Sequence, residues 1–162
     1  MGKVIYLNNN KGGRRMISVI GLANTIIQLG NQEKIDITPM KLQKLLYFIY
    51  KRYLKYSGNP LFSNRFEAWK YGPVVRCVYD EFKQFGANPI TKYAKNSEGK
   101  APAVKMNKNA KFIREVWDKY KYYDGIELST ITHQKGTAWD KAVKNGTYIL
   151  EDKDIKNEPD SE

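Results

Sequence analysis

The residue types that do chemistry are scarce in this chain of 162 residues, which has one histidine, His133, and one cysteine, Cys77. As a nucleophile and its base they would need to meet in space and to share an environment that frees the thiolate. Cys77 falls in a helical pattern, near but not in its apolar stripe, and a cysteine inside a helix is ordinarily packing. One histidine and one cysteine exclude an intramolecular disulfide, a His-rich metal site and a multi-cysteine metal site. The acidic residues show no calcium-loop spacing, and Lys11-Gly12-Gly13 is too short to cradle a phosphate. We therefore expect no catalytic residues, no cofactor and no metal. What remains is recognition chemistry: 3 Trp, 12 Tyr and 28 Lys plus Arg against 17 Asp plus Glu, for a net charge of +11. Trp, Tyr and Arg dominate binding hot spots, and a basic body attracts an acidic protein or nucleic acid.

Those residues must be positioned by helices. Thr38 is a good N-cap and Pro39 suits the first helical position, so a strong helix begins here. Leu42, Leu45, Leu46, Ile49 and Tyr53 line one of its faces. Lys41, Lys44, Lys51, Arg52 and Lys55 share about one quadrant, which reads either as a narrow wet strip of snorkelling lysines or as a partner-binding strip. An earlier helix spans 18–29, with Gly30 as its stop. After the turn at Ser57-Gly58-Asn59-Pro60, Phe66-Glu67-Ala68-Trp69 alternates like a short strand, and Tyr71-Gly72-Pro73 bends the chain. Pro73 then opens a third helix that buries Val75, Val78, Tyr79 and Phe82 and stops at Gly86.

Residues 88–106 read as irregular, with a weak hairpin signal between 89–93 and 103–106 that Pro102 restricts to an edge. A fourth helix carries Ile113, Val116, Trp117 and Tyr120, a short one carries Leu128 and Ile131, and a last one opens at Thr137 and stops at Gly146. His133 reads as a residue at a helix C-terminus whose ring bonds the last carbonyls. Alternatively, His133 and Trp139 sit beside the turn at 69–73 and make a mixed aromatic and polar groove.

The fold class expected is mainly α: a compact single-domain bundle of about five to six helices with a small β-hairpin element. Residues 1–15 read as a flexible leader, 16–150 as the folded domain and 151–162 as an acidic, disordered tail. Lys3 to Leu7 is either a short edge strand or disordered. No apolar run approaches the ~20 residues of a membrane span, and the N-terminus lacks a secretory signal pattern, so no membrane partner and a cytoplasmic location are expected.

Several separated motifs are similar to a known family. They are Thr38-Pro39-Met40-Lys41-Leu42-Gln43-Lys44-Leu45-Leu46-Tyr47, Gly58-Asn59-Pro60-Leu61-Phe62, Glu67-Ala68-Trp69-Lys70-Tyr71-Gly72-Pro73-Val74-Val75, Tyr79-Asp80-Glu81-Phe82, Leu128-Ser129, Thr132-His133-Gln134 and Ala138-Trp139. In this order they resemble the Panacea domain of SocA-like and phage-associated antitoxins, over roughly 18–146. The resemblance implies a mainly helical fold and an antitoxin that binds and neutralises a cognate toxin encoded by the adjacent gene, either alone or as an adaptor to a protease. It implies no catalytic motif. It places partner contacts at Lys41, Lys44, Trp69, Lys70, Tyr71, Gly72, Pro73, His133 and Trp139. The alternative from another class is a basic nucleic-acid-binding regulator of phage or bacterial origin, which stacks bases on tyrosines and pairs phosphates with lysines.

Overall fold

A computed structural model describes residues 1–6 and 16–159. The mainly helical fold is observed, with one long helix at its centre. Helix α1 (Val19–Glu33) is capped by Ser18, whose hydroxyl accepts from Gly21 N at 3.0 Å. It does not stop at Gly30 but runs on to an αL residue, Lys34, with φ of 57°. Gly30 serves packing instead: a Cβ there would lie 2.6 Å from Ile37 Cγ1 and 2.7 Å from Ile35 O. The returning chain therefore crosses the helix where no side chain stands.

Helix α2 (Pro39–Ser57) begins as the sequence dictates. Thr38 Oγ1 accepts from Lys41 N at 3.2 Å, and Pro39 leaves no orphan N–H behind it. Gly58 closes the helix in the αL conformation. Strands β2 (Glu67–Trp69) and β3 (Gly72–Val74) form an antiparallel hairpin, and helix α3 (Arg76–Phe82) follows. Pro73 thus lies in a strand rather than at a helix start. Gln43 accounts for this: its side chain accepts from Val75 N at 2.9 Å and donates to Val75 O at 3.1 Å, which holds Val75 extended against α2. Tyr79, expected inside, is 38% exposed, while Val78 and Phe82 are buried.

The expected hairpin between 89–93 and 103–106 does not form. Strand β4 (Ala101–Ala103) pairs in parallel with β1 (Val4–Tyr6). Two buried side chains of α1 supply the other bonds of this segment. Asn24 bonds Ala94 N, Ala94 O and Pro102 O, each at 2.9 Å, and Thr25 Oγ1 accepts from Val104 N at 2.8 Å. A helix surface stands in for the partner strand, so Pro102 loses nothing by lacking an N–H. The expected flexible stretch from Leu7 to Arg15 lies outside the described residues.

Helices α4 (Lys111–Tyr120), α5 (Gly125–Thr132) and α6 (Ala138–Asn145) carry the expected buried positions Ile113, Val116, Trp117, Tyr120 and Leu128. Asp124 and Glu127 make a full capping box at α5. At α6, Thr137 accepts from Asp140 N, while the Asp140 carboxylate reaches Gly136 N at 2.8 Å. Helices α1, α3, α4 and α5, together with β3, pack on α2.

The tail departs from expectation. Residues 152–156 form a further helix, α7 (Asp152–Lys156), and Ile155 and Glu158 are buried, so residues 151–159 do not fray. Buried anchors hold the segment although it is acidic. Glu158 Oε1 accepts from Tyr47 OH at 2.8 Å and Ala138 N at 2.9 Å, and Glu158 Oε2 pairs with Lys51 Nζ at 2.8 Å. Residues 160–162 lie outside the described set.

A groove between the long helix and the hairpin

The lysines of α2 are not a wet strip. Lys41, Lys44 and Lys51 are buried, and only Arg52 is fully exposed. Each lysine reaches a group far along the chain, Lys51 and Lys55 meeting at the same residue. Lys41 Nζ donates to Lys121 O at the C-terminus of α4, where a cation also meets the negative end of the helix dipole. Lys51 pairs with Glu158, and Lys55 Nζ donates to Glu158 O. Lys44 Nζ donates to Pro73 O at 2.8 Å, its one hydrogen bond among the described residues. Burial lowers the Lys41 amine, partly offset by Asp124, Asp36 and Glu127. No carboxylate offsets the burial of Lys44, which is pushed down to about 7.

The hairpin is fixed by donors from three helices. The carbonyl of Trp69 accepts from Trp139 Nε1 of α6 at 2.6 Å, that of Tyr71 from Ser129 Oγ of α5, and that of Pro73 from Lys44 of α2. Ala68 N donates to Tyr148 O rather than across the hairpin, so the Ala68–Pro73 pair is not bonded between the strands, and without Lys44 the buried Pro73 carbonyl would be an acceptor without a donor. Gly72 is required by both conformation and space. Its φ is 113°, and a Cβ would lie 2.5 Å from Thr132 Oγ1 and 3.2 Å from Lys44 Cε. Within the hairpin, the Glu67 side chain accepts from Arg76 Nη2 and Trp69 Nε1, both at 2.9 Å, and from Tyr148 OH at 2.8 Å. Burial alone would raise the Glu67 carboxyl; these hydrogen bonds outweigh it and hold the group below its ordinary value. Arg76 lies over the Trp69 ring at 5.1 Å, and Tyr79 meets that ring edge-on at 4.7 Å.

Between the amino end of α2, the hairpin and α3 lies an open-sided groove of about 360 Å³. Its lining includes Met40, Lys44, Trp69, Lys70, Tyr71 and Val78. Of the residues expected at a partner site, Lys44, Trp69, Lys70 and Tyr71 are brought together here. Gly72 and Pro73 are buried behind them in β3. Trp139 stands beside the 69–73 turn, as one reading of the sequence had it, and His133 packs edge-on against it with ring centroids 5.2 Å apart. Neither lines the groove. His133 does cap the C-terminal end of α5, but its buried Nδ1 has no partner among the described residues, so this nitrogen does not bond the last carbonyls. Lys41 is turned away toward α4.

The sequence reading missed Gln43, Ser129 and Thr132, which hold the hairpin from below. Gln43 carried a faint signal, a neutral amide in a part of α2 whose other polar residues are lysines. Ser129 and Thr132 carried none beyond their place on a short helix.

Cys77 is exposed and accepts from Asn64 Nδ2 at 3.5 Å, while His133 is held on Trp139. Burial, with Asp80 and Glu81 nearby, pushes the thiol up, opposite to what an activated nucleophile needs. Among the described residues there is no group of three or more His, Cys, Asp or Glu that could hold a metal ion, and no helix is long and apolar enough to cross a membrane.

Comparison with known proteins places most of the groove, all of its lining but Pro39 and Met40, inside a recognised domain. The family described as antitoxin SocA-like, Panacea domain, matches residues 42–140. Antitoxin SocA of Caulobacter vibrioides (strain NA1000 / CB15N) is 42% identical over 69 residues, which cover 43% of this chain and 37% of that relative. The match thus spans little more than a third of the relative's length. No solved structure matches.

Proposed function

The chain belongs to the SocA-like antitoxin family that carries the Panacea domain, and from that membership we propose that it is an antitoxin of a bacterial or prophage toxin–antitoxin system, neutralising a cognate toxin by direct binding. The observation that supports this reading is the groove. It is concave and mostly apolar, with Tyr71 and Tyr79 exposed at its edge. Aromatic anchors beside a desolvated pocket are the features that concentrate binding energy. The hairpin wall is already held by α2, α5 and α6, so little ordering cost falls on association.

The nucleic-acid reading loses support. Lys41, Lys44 and Lys51, part of the basic body on which that reading rested, are buried and bonded within the fold. Delivery of the toxin to a protease requires the same first step, a stable complex.

The test is co-expression with the product of the adjacent reading frame. We expect the two proteins to co-elute in size-exclusion chromatography and growth arrest by that product to be relieved. Separate elution with persistent arrest would refute the proposal.

A further inference from the structure

We infer that the groove receives a short apolar segment of the toxin that carries one carboxylate, and that Lys44 supplies the counter-charge at its floor. This rests on the antitoxin reading and deepens it by naming the chemistry of the partner.

Three observations converge. First, the groove lining includes two lysines, Lys44 and Lys70, and no carboxylate. The amino end of the 19-residue helix α2 borders the same space through Pro39 and Met40, adding the positive end of a helix dipole. The charged side chains of the lining are therefore of one sign, while its walls are mostly apolar. Second, Lys44 is 1% exposed and bonded among the described residues only to a neutral carbonyl, Pro73 O. An ammonium has three donors, and a buried cation without an ion partner is rare. Buried Lys51, by contrast, has its carboxylate supplied within the chain by Glu158. Third, the fold maintains this lysine site at a conformational cost. Gly72 adopts φ of 113°, and a Cβ there would clash with Thr132 Oγ1 at 2.5 Å and crowd Lys44 Cε and Nζ at 3.2 and 3.3 Å. The backbone is thinned where the lysine head lies.

An arriving carboxylate would complete the Lys44 shell as Glu158 completes that of Lys51. The apolar residues flanking it would cover Val78 and the Trp69 ring. An uncharged apolar segment would leave Lys44 sealed from water without an ion partner, so the groove discriminates against it.

The experiment is calorimetric titration of the purified adjacent-frame product into four forms of the protein: wild type, Lys44→Met, Met40→Glu and Met40→Gln. Near-ultraviolet circular dichroism checks that each variant is folded. Lys44→Met leaves the partner's carboxylate buried without a counter-charge, so affinity should fall by at least about tenfold. Met40→Glu places a competing carboxylate beside Lys44, at a helix position that favours acids, and should weaken binding by about tenfold more than Met40→Gln. Carbodiimide treatment of the wild-type complex should join Lys44 to an acidic residue or the C-terminus of the partner. If the wild type binds, but Lys44→Met and Met40→Glu bind within about twofold of it and the cross-links map elsewhere, this inference fails while the antitoxin reading stands. If the wild type does not bind, both fail together.

Discussion

Replacing Lys44 with methionine should stabilise the isolated protein at neutral pH and cease to do so in alkali. Lys44 is 1% exposed, and its amine is lowered from 10.5 to about 7 by burial. A gap of about 3.5 pK units corresponds to roughly 5 kcal/mol charged against the folded state when the lysine is protonated. Methionine has a similar shape and no charge, so that cost disappears. Against it stands the loss of the bond to Pro73 O, which leaves a buried carbonyl without its donor at about 1–3 kcal/mol. The variant should therefore be more stable by roughly 2–4 kcal/mol near pH 6. The sign of the pH dependence is fixed by linkage. Between about 7 and 10.5 the unfolded chain binds more protons at this site than the folded one, so wild-type stability rises with pH across that window. Below 7 the penalty is complete; above 10.5 it has vanished, and the wild type should then exceed the variant by the Pro73 bond alone. Urea unfolding of both proteins at several pH values measures this, and the wild-type-minus-variant difference cancels the titration of shared tyrosines. A difference that stays constant from about pH 6 to 10, or a variant already less stable at pH 6, would refute the reasoning.

Other perturbations follow from the same contacts. Glu158→Ala strands Lys51 without its carboxylate and Tyr47 OH and Ala138 N without an acceptor, and should cost about 3–5 kcal/mol in urea unfolding; a loss under about 1 kcal/mol would show that the tail merely rests on the surface. Gly72→Ala should lower stability by about 2–3 kcal/mol, clearly more than Gly86→Ala, because both have positive φ but a Cβ meets Thr132 and Lys44 only at position 72. Equal losses at the two positions would remove the steric argument. Trp139→Phe removes the donor to Trp69 O, and should cost about 1 kcal/mol and speed amide exchange in β2 and β3; unchanged exchange would mean that α6 does not hold the hairpin.

Several elements were legible from local chemistry. Thr38 and Thr137 cap their helices because a hydroxyl three residues before an amide satisfies it without help from the rest of the chain. Pro39 and Gly58 bound α2 for equally local reasons. Gly30 misled because glycine fits both a helix stop and a close approach, and only the position of Ile37 distinguishes them. Pro73 misled because a helix start and an edge strand both tolerate a missing N–H; Gln43 decides for the strand. At the candidate site, the Trp69-Lys70-Tyr71 turn and its neighbour Trp139 were legible as types, while the residues beneath the hairpin were not.

The sequence by itself determined the mainly helical class, the start and end of the central helix, and a supply of aromatic and cationic groups for recognition. Tertiary structure alone decided where the charges went. A lysine on a helix face is wet or buried according to what packs above it. For α2 that covering comes from remote segments: Lys51 meets Glu158 107 residues away, and Lys44 meets the Pro73 carbonyl 29 residues away. Helical periodicity fixes a side chain's direction within its own turn, but burial is a property of the neighbours, and these were contributed by a hairpin and a tail whose local sequences gave no sign of where they would dock.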